Sequence, residues 1–307
     1  LPVGRCRYGL MLGEDGMVMD DGVTSRLSEH RYLMTTTTSG AAHVLNWLER
    51  WLQTEWPELE VFLTSVTDRW SVTSIAGPKS RELLESLSEG IDLSPEALPF
   101  MSFCEGWVAG IAARVFRISF SGEVAYEINV SADQGLSLWR AVMEAGKLFG
   151  ITPYGTDAMH VLRAEKGYVI VGQDTDGSVT PIDLGMDWIV SKKKDFIGKR
   201  SLFRADTARD NRKQLVGLKT EDSTVVLPEG AQLVNAFSSS RPVPMVGHVT
   251  SSYFSATLEH SIALALIKGG RARLGGTVYA PLMDGQLIKA TITEPVFYDP
   301  DNLRQRE

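Results

Sequence analysis

The sequence contains only two cysteines, Cys6 and Cys104, in 307 residues. Neither lies in a Cys-x-x-Cys motif or within a cluster of histidines, so the sequence shows neither a disulfide framework nor a zinc-binding pattern. Two isolated thiols are typical of proteins from a reducing compartment. We therefore expect a cytoplasmic protein in which both cysteines are small buried side chains.

Long apolar runs and an excess of positive charge are also missing. No stretch of about 18 apolar residues is present that could span a bilayer, and the first residues lack the composition of a secretory signal. The formal net charge is −7, and no dense stripe of lysine and arginine recurs. These features exclude a membrane span and disfavour a nucleic-acid partner, because binding to phosphates needs a basic face.

Sequence motifs that bind nucleotide cofactors, and a recognisable catalytic triad, are absent too. The sequence has no Gly-x-Gly-x-x-Gly after a strand, no Walker loop and no recognisable Ser/His/Asp arrangement. We therefore expect no flavin, nicotinamide or metal site in this chain. The chain begins with Leu1 instead of methionine, which we interpret as the sign of a fragment of a longer polypeptide.

The composition that is present fits a globular protein of two domains. Apolar residues make up 43% of the chain and charged residues 22%. The first part mixes two kinds of apolar spacing: alternation, which predicts strands, and helical spacing. Strands are expected over residues 7–12, 16–27, 66–76, 107–118 and 125–130. Helices are expected over residues 41–56, 77–87, 132–149 and 155–167.

The later part of the chain predicts short strands joined by glycine-containing turns. We expect strands over residues 214–219, 231–234, 245–251, 261–267, 277–280 and 287–292. This pattern is typical of a small β-barrel or sandwich. The polar stretch 195–211 precedes it, so we predict an α+β region over residues 1–211 and a second domain over residues 212–307.

Three acidic residues and a tyrosine are candidates for chemistry. Asp20 and Asp21 are adjacent on an alternating run, so they point to opposite faces and only one can face a given cavity. Taken alone, both fit solvated charges at the end of a strand. Tyr8 alone fits a core aromatic residue, and Glu127 alone fits a cross-strand ion pair.

Two segments resemble the folate-binding aminomethyltransferase family, which includes the T-protein of glycine cleavage. They are RISFSGEVAYEI, residues 117–128, and YGLMLGEDGMVMDD, residues 8–21. Further segments, among them HVLRAEKGYVIVGQDTDG, GHVTSSYFSATLEHSIALALIK and EPVFYDP, look most similar to the carboxy-terminal third of alpha subunits of heterotetrameric sarcosine oxidase. This resemblance implies an α+β fold in which a T-protein-like folate-binding region is followed by a small C-terminal β-barrel.

The resemblance also implies roles for five residues. Asp21 matches the catalytic carboxylate beside the reactive pterin nitrogens, and Tyr8 matches a pocket tyrosine. Glu127 matches the glutamate that accepts the pterin amino and ring N–H groups, a pairing that suits the two acceptor oxygens of a carboxylate. Phe120 stands where relatives usually have a pocket tyrosine, so it keeps stacking but loses a hydrogen bond. Ser251 lies in a segment similar to the family loop that approaches the folate cavity from the barrel.

Some positions depart from the family pattern. Met159 and His160 replace an arginine and an aspartate that many aminomethyltransferases have, which disfavours an ordinary glycine-cleavage T-protein. Family members also carry further residues ahead of the position of Tyr8, and we expect the pocket wall to be incomplete without them. The basic run 192–194 fits a solvated loop or, alternatively, a site that attracts a polyglutamate tail.

The function implied by the resemblance is capture of the one-carbon unit from oxidised sarcosine as 5,10-methylenetetrahydrofolate. Tetrahydrofolate would be the ligand, and other sarcosine oxidase subunits or the rest of the alpha chain would be the partners and would hold flavin and nicotinamide. The alternatives are a stand-alone aminomethyltransferase or folate-dependent demethylase, a non-catalytic folate-binding assembly protein, and a purely structural module. The amine substrate, the length of the folate tail and the oligomeric state stay open.

Overall fold

The computed structural model describes residues 1–236 and 242–306. The chain forms two compact units. Unit 1 comprises Leu1–Gly9, Asp20–Pro153 and Asn302–Glu307, and unit 2 comprises Leu10–Met19 and Tyr154–Asp301. The boundary expected near residue 211 stays a prediction, and its second domain includes residues 237–241 and 307, which lie outside the described residues.

The first sheet is built from the strands β1, β2 and β3, in that order: Cys6–Leu12, Val18–Ser28 and Arg31–Met34. A tight turn joins β1 to β2, where the N–H of Gly13 donates to the Met17 carbonyl at 3.0 Å. Gly16 has a φ of 84° in this turn, a conformation that glycine adopts without strain. The strand β3 was not predicted, because its four mostly exposed residues show no apolar alternation.

The second sheet lies in unit 1 and has the order β4-β8-β7-β6-β5. Its strands are β4 (Trp70–Ala76), β5 (Ser88–Glu89), β6 (Ser102–Val108), β7 (Ile111–Arg117) and β8 (Ala125–Ser131). The helices of unit 1 are α1 (Ala41–Thr54), α2 (Ser80–Leu87) and α3 (Gly135–Gly146). The helices expected over residues 41–56, 77–87 and 132–149 are thus confirmed, although each α-helix in the structure is shorter than the predicted range.

One face of the second sheet packs against α2 and α3. Leu84 and Leu138 of these helices share a buried cluster with Tyr126, Ile128 and Val130 of β8. Residues of a strand alternate between the two faces of the sheet. The burial of these three positions therefore turns Glu127 and Asn129 to the opposite face.

The single strand predicted over residues 107–118 is wrong. The structure has the two strands β6 and β7, which pair antiparallel with Val108 opposite Ile111. The two-residue turn between them is Ala109-Gly110, with φ values of 51° and 71°. Such a turn matches the twist of a hairpin, but alanine at its first position gives no turn signal in the sequence.

Unit 2 contains the helix α4 (Thr156–Glu165) and a six-stranded sheet of order β10-β11-β12-β9-β14-β13. The strands are β9 (Lys213–Thr220), β10 (Gln232–Leu233), β11 (Gly247–Ser255), β12 (His260–Lys268), β13 (Thr277–Pro281) and β14 (Leu287–Thr293). A bridge between Val234 and Tyr279 joins the β10 edge to β13, with both N–H···O distances at 2.9 Å. The sheet therefore closes into the expected small barrel. Within the described part of the chain, none of the helices has the length and apolar character that a membrane crossing needs.

A buried ion pair joins α4 to its surroundings in unit 2. Arg163 pairs with Asp174, and both side chains are 0% exposed. The other carboxylate oxygen of Asp174 accepts hydrogen bonds from the hydroxyls of Thr250 and Ser251, both at 2.6 Å. Asp174 is thus the centre of a polar network that has no access to water.

The Asp174→Asn variant should be strongly destabilised. The amide would leave the buried guanidinium of Arg163 without a counter-charge, which costs about 3–5 kcal/mol. Urea denaturation followed by circular dichroism measures the change in the free energy of unfolding. The control is Arg209→Gln, which breaks the exposed Arg209–Asp206 pair and should change stability by less than about 1 kcal/mol. Equal effects of the two variants would contradict the importance of the buried pair.

Candidate functional site

Tyr8 and Asp21 are in direct contact in unit 1. The Tyr8 hydroxyl donates to Oδ2 of Asp21 at 2.8 Å, and both side chains are half-buried. Burial raises the pKa of Asp21 and the negative charge of Asp20 raises it further, while the hydrogen bonds from Tyr8 and Thr37 oppose this. Burial, followed by the charge of Asp21, also raises the pKa of Tyr8, so the phenol stays protonated and acts as donor. Asp21 is therefore an oriented carboxylate with an increased affinity for a proton.

Asp20 lies behind Asp21 and is buried, with 2% of its surface exposed. Its Oδ1 accepts hydrogen bonds from the Thr37 hydroxyl at 2.6 Å, the Thr37 N–H at 3.2 Å and the Asp21 N–H at 2.8 Å. The interpretation of both aspartates as solvated charges at a strand end is wrong. They lie inside β2, and only Asp21 keeps access to the surface.

Glu127 lies on β8, on the face of the sheet opposite the helices. Its cross-strand neighbours are Ser74 and Phe116, so its interpretation as a cross-strand ion pair is also wrong. Among the described residues its carboxylate has no hydrogen-bond partner and no ion pair. Burial alone raises the pKa of Glu127 to about 7. A desolvated carboxylate without a partner is unfavourable for stability and is typical of a binding or catalytic site.

The charge of Glu127 acts on Cys6, which lies on the same strand as Tyr8. Cys6 precedes Tyr8 by two positions on β1, so both side chains share one face of that strand. The pKa of Cys6 is raised by burial first, and the charge of Glu127 contributes to the increase. The hydroxyl of Ser25 donates to the Cys6 thiol at 3.2 Å. Glu127 therefore has an electrostatic influence on the strand that carries Tyr8.

The other two predicted residues have different surroundings. Phe120 lies between β7 and β8 and is 36% exposed, which leaves part of its ring accessible. Ser251 lies in unit 2 and is 0% exposed; its hydroxyl donates to Asp174 and accepts from Arg163 at 2.7 Å. Both hydrogen-bonding directions of that hydroxyl are thus occupied within the protein. The predicted contact of Ser251 with folate stays a prediction, as do the roles of the other four residues.

The sequence analysis did not identify Thr37. The hydroxyl and the backbone N–H of this residue both donate to the carboxylate of Asp20. The only signal was the run of four threonines over residues 35–38 after an unpredicted strand. Among the described residues no group of three or more His, Cys, Asp or Glu side chains is placed to hold a metal ion. The groups of unit 1 with a raised pKa that the resemblance singles out are the carboxylates of Asp21 and Glu127 and the phenol of Tyr8.

Comparisons with known proteins agree with this fold. The family model for the GCVT N-terminal domain matches residues 1–194, and the model for the glycine cleavage T-protein C-terminal barrel domain matches residues 213–299. A crystal structure of the glycine cleavage system aminomethyltransferase T from Bartonella henselae has a TM-score of 0.83 and 22% identity, and covers 98% of this chain and 78% of its own. The predicted α+β fold class with a C-terminal barrel is confirmed.

Two relatives are similar over nearly the whole chain. The sarcosine oxidase subunit alpha of Corynebacterium sp. (strain P-1) is 53% identical over 99% of this chain and 32% of its own length. The aminomethyltransferase of Thermotoga petrophila is 30% identical over 97% of this chain and 77% of its own length. The chain thus spans about one third of the sarcosine oxidase alpha subunit and most of the aminomethyltransferase.

The pKa of Glu127 predicts how stability depends on pH. Because the pKa in the folded chain, about 7, lies above the ordinary value of 4.5, the folded state binds more protons between these values, and stability falls as pH rises through 7. Glu127→Gln removes this loss, so the variant should be more stable than the wild-type chain at pH 8, by about 1–3 kcal/mol. At pH 5 the difference should be small.

Urea denaturation at pH 5 and pH 8 measures this effect. The matched control is Glu144→Gln, which removes an exposed carboxylate from α3 and should not stabilise the chain at pH 8. A Glu127→Gln variant that is less stable than the wild-type chain at pH 8 would mean that Glu127 has a stabilising partner.

Proposed function

The chain belongs to the glycine cleavage T-protein family, and from this premise we propose that it binds tetrahydrofolate and transfers a one-carbon unit to it. Its relatives include enzymes of two kinds, an aminomethyltransferase and a subunit of sarcosine oxidase. Folate-related one-carbon transfer is the activity that these relatives suggest. The proposal concerns the residues of unit 1 that would carry it.

The unpaired carboxylate of Glu127 is the observation that supports folate binding most strongly. A reduced pterin presents an amino group and a ring N–H on one edge, and a carboxylate can accept from both donors at once. Glu127 has no competing partner among the described residues and lies beside the aromatic residue Phe116. Hydrogen bonds from two donors would offset the free-energy cost of desolvation, which raises the pKa of this group. Phe120 would add stacking on the flat ring.

Asp21 and Tyr8 suit the transfer step. Condensation of a formaldehyde-level carbon with N5 and N10 of tetrahydrofolate forms two C–N bonds, and the two N–H protons leave with the carbonyl oxygen as water. Asp21 would accept a proton and stabilise the positive charge that develops, since its raised pKa makes it a stronger base than an ordinary aspartate. Tyr8 would hold the carboxylate in place through its 2.8 Å hydrogen bond.

The similarity to sarcosine oxidase suggests the source of the carbon. We propose that sarcosine is oxidised elsewhere in a larger assembly, where molecular oxygen takes up the two electrons and two protons as hydrogen peroxide. The resulting iminium or formaldehyde would be captured here as 5,10-methylenetetrahydrofolate, and glycine would be the other product. Confinement near the oxidation site would replace a dilute encounter by a local one. The partners would be the rest of an alpha chain or other subunits, which would bind the flavin and nicotinamide. Two unpaired cysteines favour a cytoplasmic location.

Calorimetry with tetrahydrofolate tests the binding role of Glu127. The wild-type chain should bind, and Glu127→Gln should bind at least about tenfold more weakly, because two charge-assisted hydrogen bonds become weaker. Affinity for the wild-type chain should decrease as pH falls below 7, where Glu127 becomes protonated, and this dependence should disappear in the variant. Unchanged affinity in Glu127→Gln would exclude this carboxylate from the site.

The Asp21→Asn variant separates binding from transfer. It should keep its affinity for tetrahydrofolate but form 5,10-methylenetetrahydrofolate from formaldehyde at least about a hundredfold more slowly, since general acid–base catalysis contributes about 10²–10⁴. Normal turnover in Asp21→Asn would exclude Asp21 as the catalytic carboxylate, and folate binding without turnover in the wild-type chain would favour a non-catalytic folate-binding protein. Absence of folate affinity in the wild-type chain would favour a purely structural module. Activity with an aminomethyl donor instead of formaldehyde would favour a stand-alone aminomethyltransferase.

A further inference from the structure

The surroundings of Asp20 are built around its charge. The carboxylate is buried, and three hydrogen bonds to Oδ1 come from the Thr37 hydroxyl, the Thr37 N–H and the Asp21 N–H. A buried carboxylate loses its hydration, and hydrogen bonds of this kind compensate for that loss only when their geometry is maintained. The hydrogen bonds to Oδ1 of Asp20 therefore hold Thr37 against β2.

Gly40 completes the enclosure on the other oxygen of Asp20. A Cβ atom at position 40 would lie 1.9 Å from Oδ2 of Asp20, so only glycine allows this close approach. The Thr37 hydroxyl donates mainly to Oδ1 of Asp20 at 2.6 Å and more weakly to Oδ1 of Asp21 at 3.5 Å. Thr37 thus lies between the two carboxylates and binds the buried one.

We propose that Asp20 is a positioning residue for Asp21. Its carboxylate holds Thr37 and the backbone N–H of Asp21, and this leaves the Asp21 side chain directed to Tyr8, where the proposed proton transfer takes place. The inference rests on the proposed function, in which Asp21 is the proton acceptor. Asp20 itself is enclosed and does not contact the ligand.

Asp20 has a second effect on Asp21 through its charge. The groups that act on the Asp21 carboxyl are Tyr8 from β1, Asp20 from β2 and the Thr37 hydroxyl. Tyr8 stays neutral, so Asp20 supplies the negative charge that opposes ionisation of Asp21. Removal of this charge should lower the pKa of Asp21 and make it a weaker base.

Titration of the Asp21 carboxyl carbon by NMR tests the charge effect without any folate. In Asp20→Asn the remaining carbonyl oxygen can still accept the three hydrogen bonds, so the fold should persist and the pKa of Asp21 should move down. The matched control is Asp68→Asn, which removes an exposed charge of unit 1 and should leave the pKa of Asp21 unchanged. An unchanged pKa in Asp20→Asn would overturn the charge effect.

The positioning effect is tested at Thr37 by turnover and binding together. Thr37→Val removes the hydroxyl and should lower the rate of 5,10-methylenetetrahydrofolate formation about tenfold, while the Kd for tetrahydrofolate, which depends on Glu127, stays the same. Thr37→Ser restores the hydroxyl and should restore the rate. An equal rate in Thr37→Val, or a rate loss that serine does not rescue, would overturn the positioning role.

These outcomes are distinguishable from failure of the proposed function. If the wild-type chain does not bind tetrahydrofolate, the proposed function fails, yet the NMR titration still reports whether Asp20 controls Asp21. If circular dichroism shows that Asp20→Asn is unfolded, the charge of Asp20 is required for folding. In that case the NMR titration of Asp21 in the Thr37→Val variant decides the inference. The pKa of Asp21 should move up in that variant, because a hydrogen bond that favours the ionised form is lost. No change there would overturn it.

Discussion

The alternation of side chains along β8 is the constraint on which the candidate site depends. Tyr126, Ile128 and Val130 are buried with the helices of unit 1, and they fix which face of the strand Glu127 occupies. A slip of one residue would move these apolar side chains out of the core and Glu127 into it. The position of the carboxylate is therefore determined by its neighbours, and Glu127 needs no partner of its own to stay in place.

The same alternation gives two adjacent aspartates opposite environments. Asp20 is enclosed by Thr37 and Gly40 and serves the structure around it. Asp21 contacts Tyr8 and remains half-buried, where its proton affinity can be used. The two carboxylates have the same chemistry, and the different partners that the fold provides separate a supporting role from a proposed catalytic one.

Much of the fold follows from local sequence patterns. The α1 helix has apolar residues at helical spacing and the barrel strands lie between glycine turns, so both were predictable. The Ala109-Gly110 turn was missed because its positive φ values depend on pairing between β6 and β7 and not on the residue types. The family resemblance assigned Tyr8 and Asp21 to one pocket, but the hydrogen bond between them was not predicted. The burial of Asp20 was not predictable, because Thr37 contacts it from 17 positions away.

The bridge between Val234 and Tyr279 has a consequence for the behaviour of unit 2 in concentrated solution. Strands at the margin of an open sheet offer free N–H and C=O groups to other chains, and such pairing leads to aggregation. Here the two marginal strands, β10 and β13, are tied to each other through that bridge. The bridge therefore occupies the N–H and C=O groups of Val234 and Tyr279, which makes these groups unavailable for β-pairing with other chains.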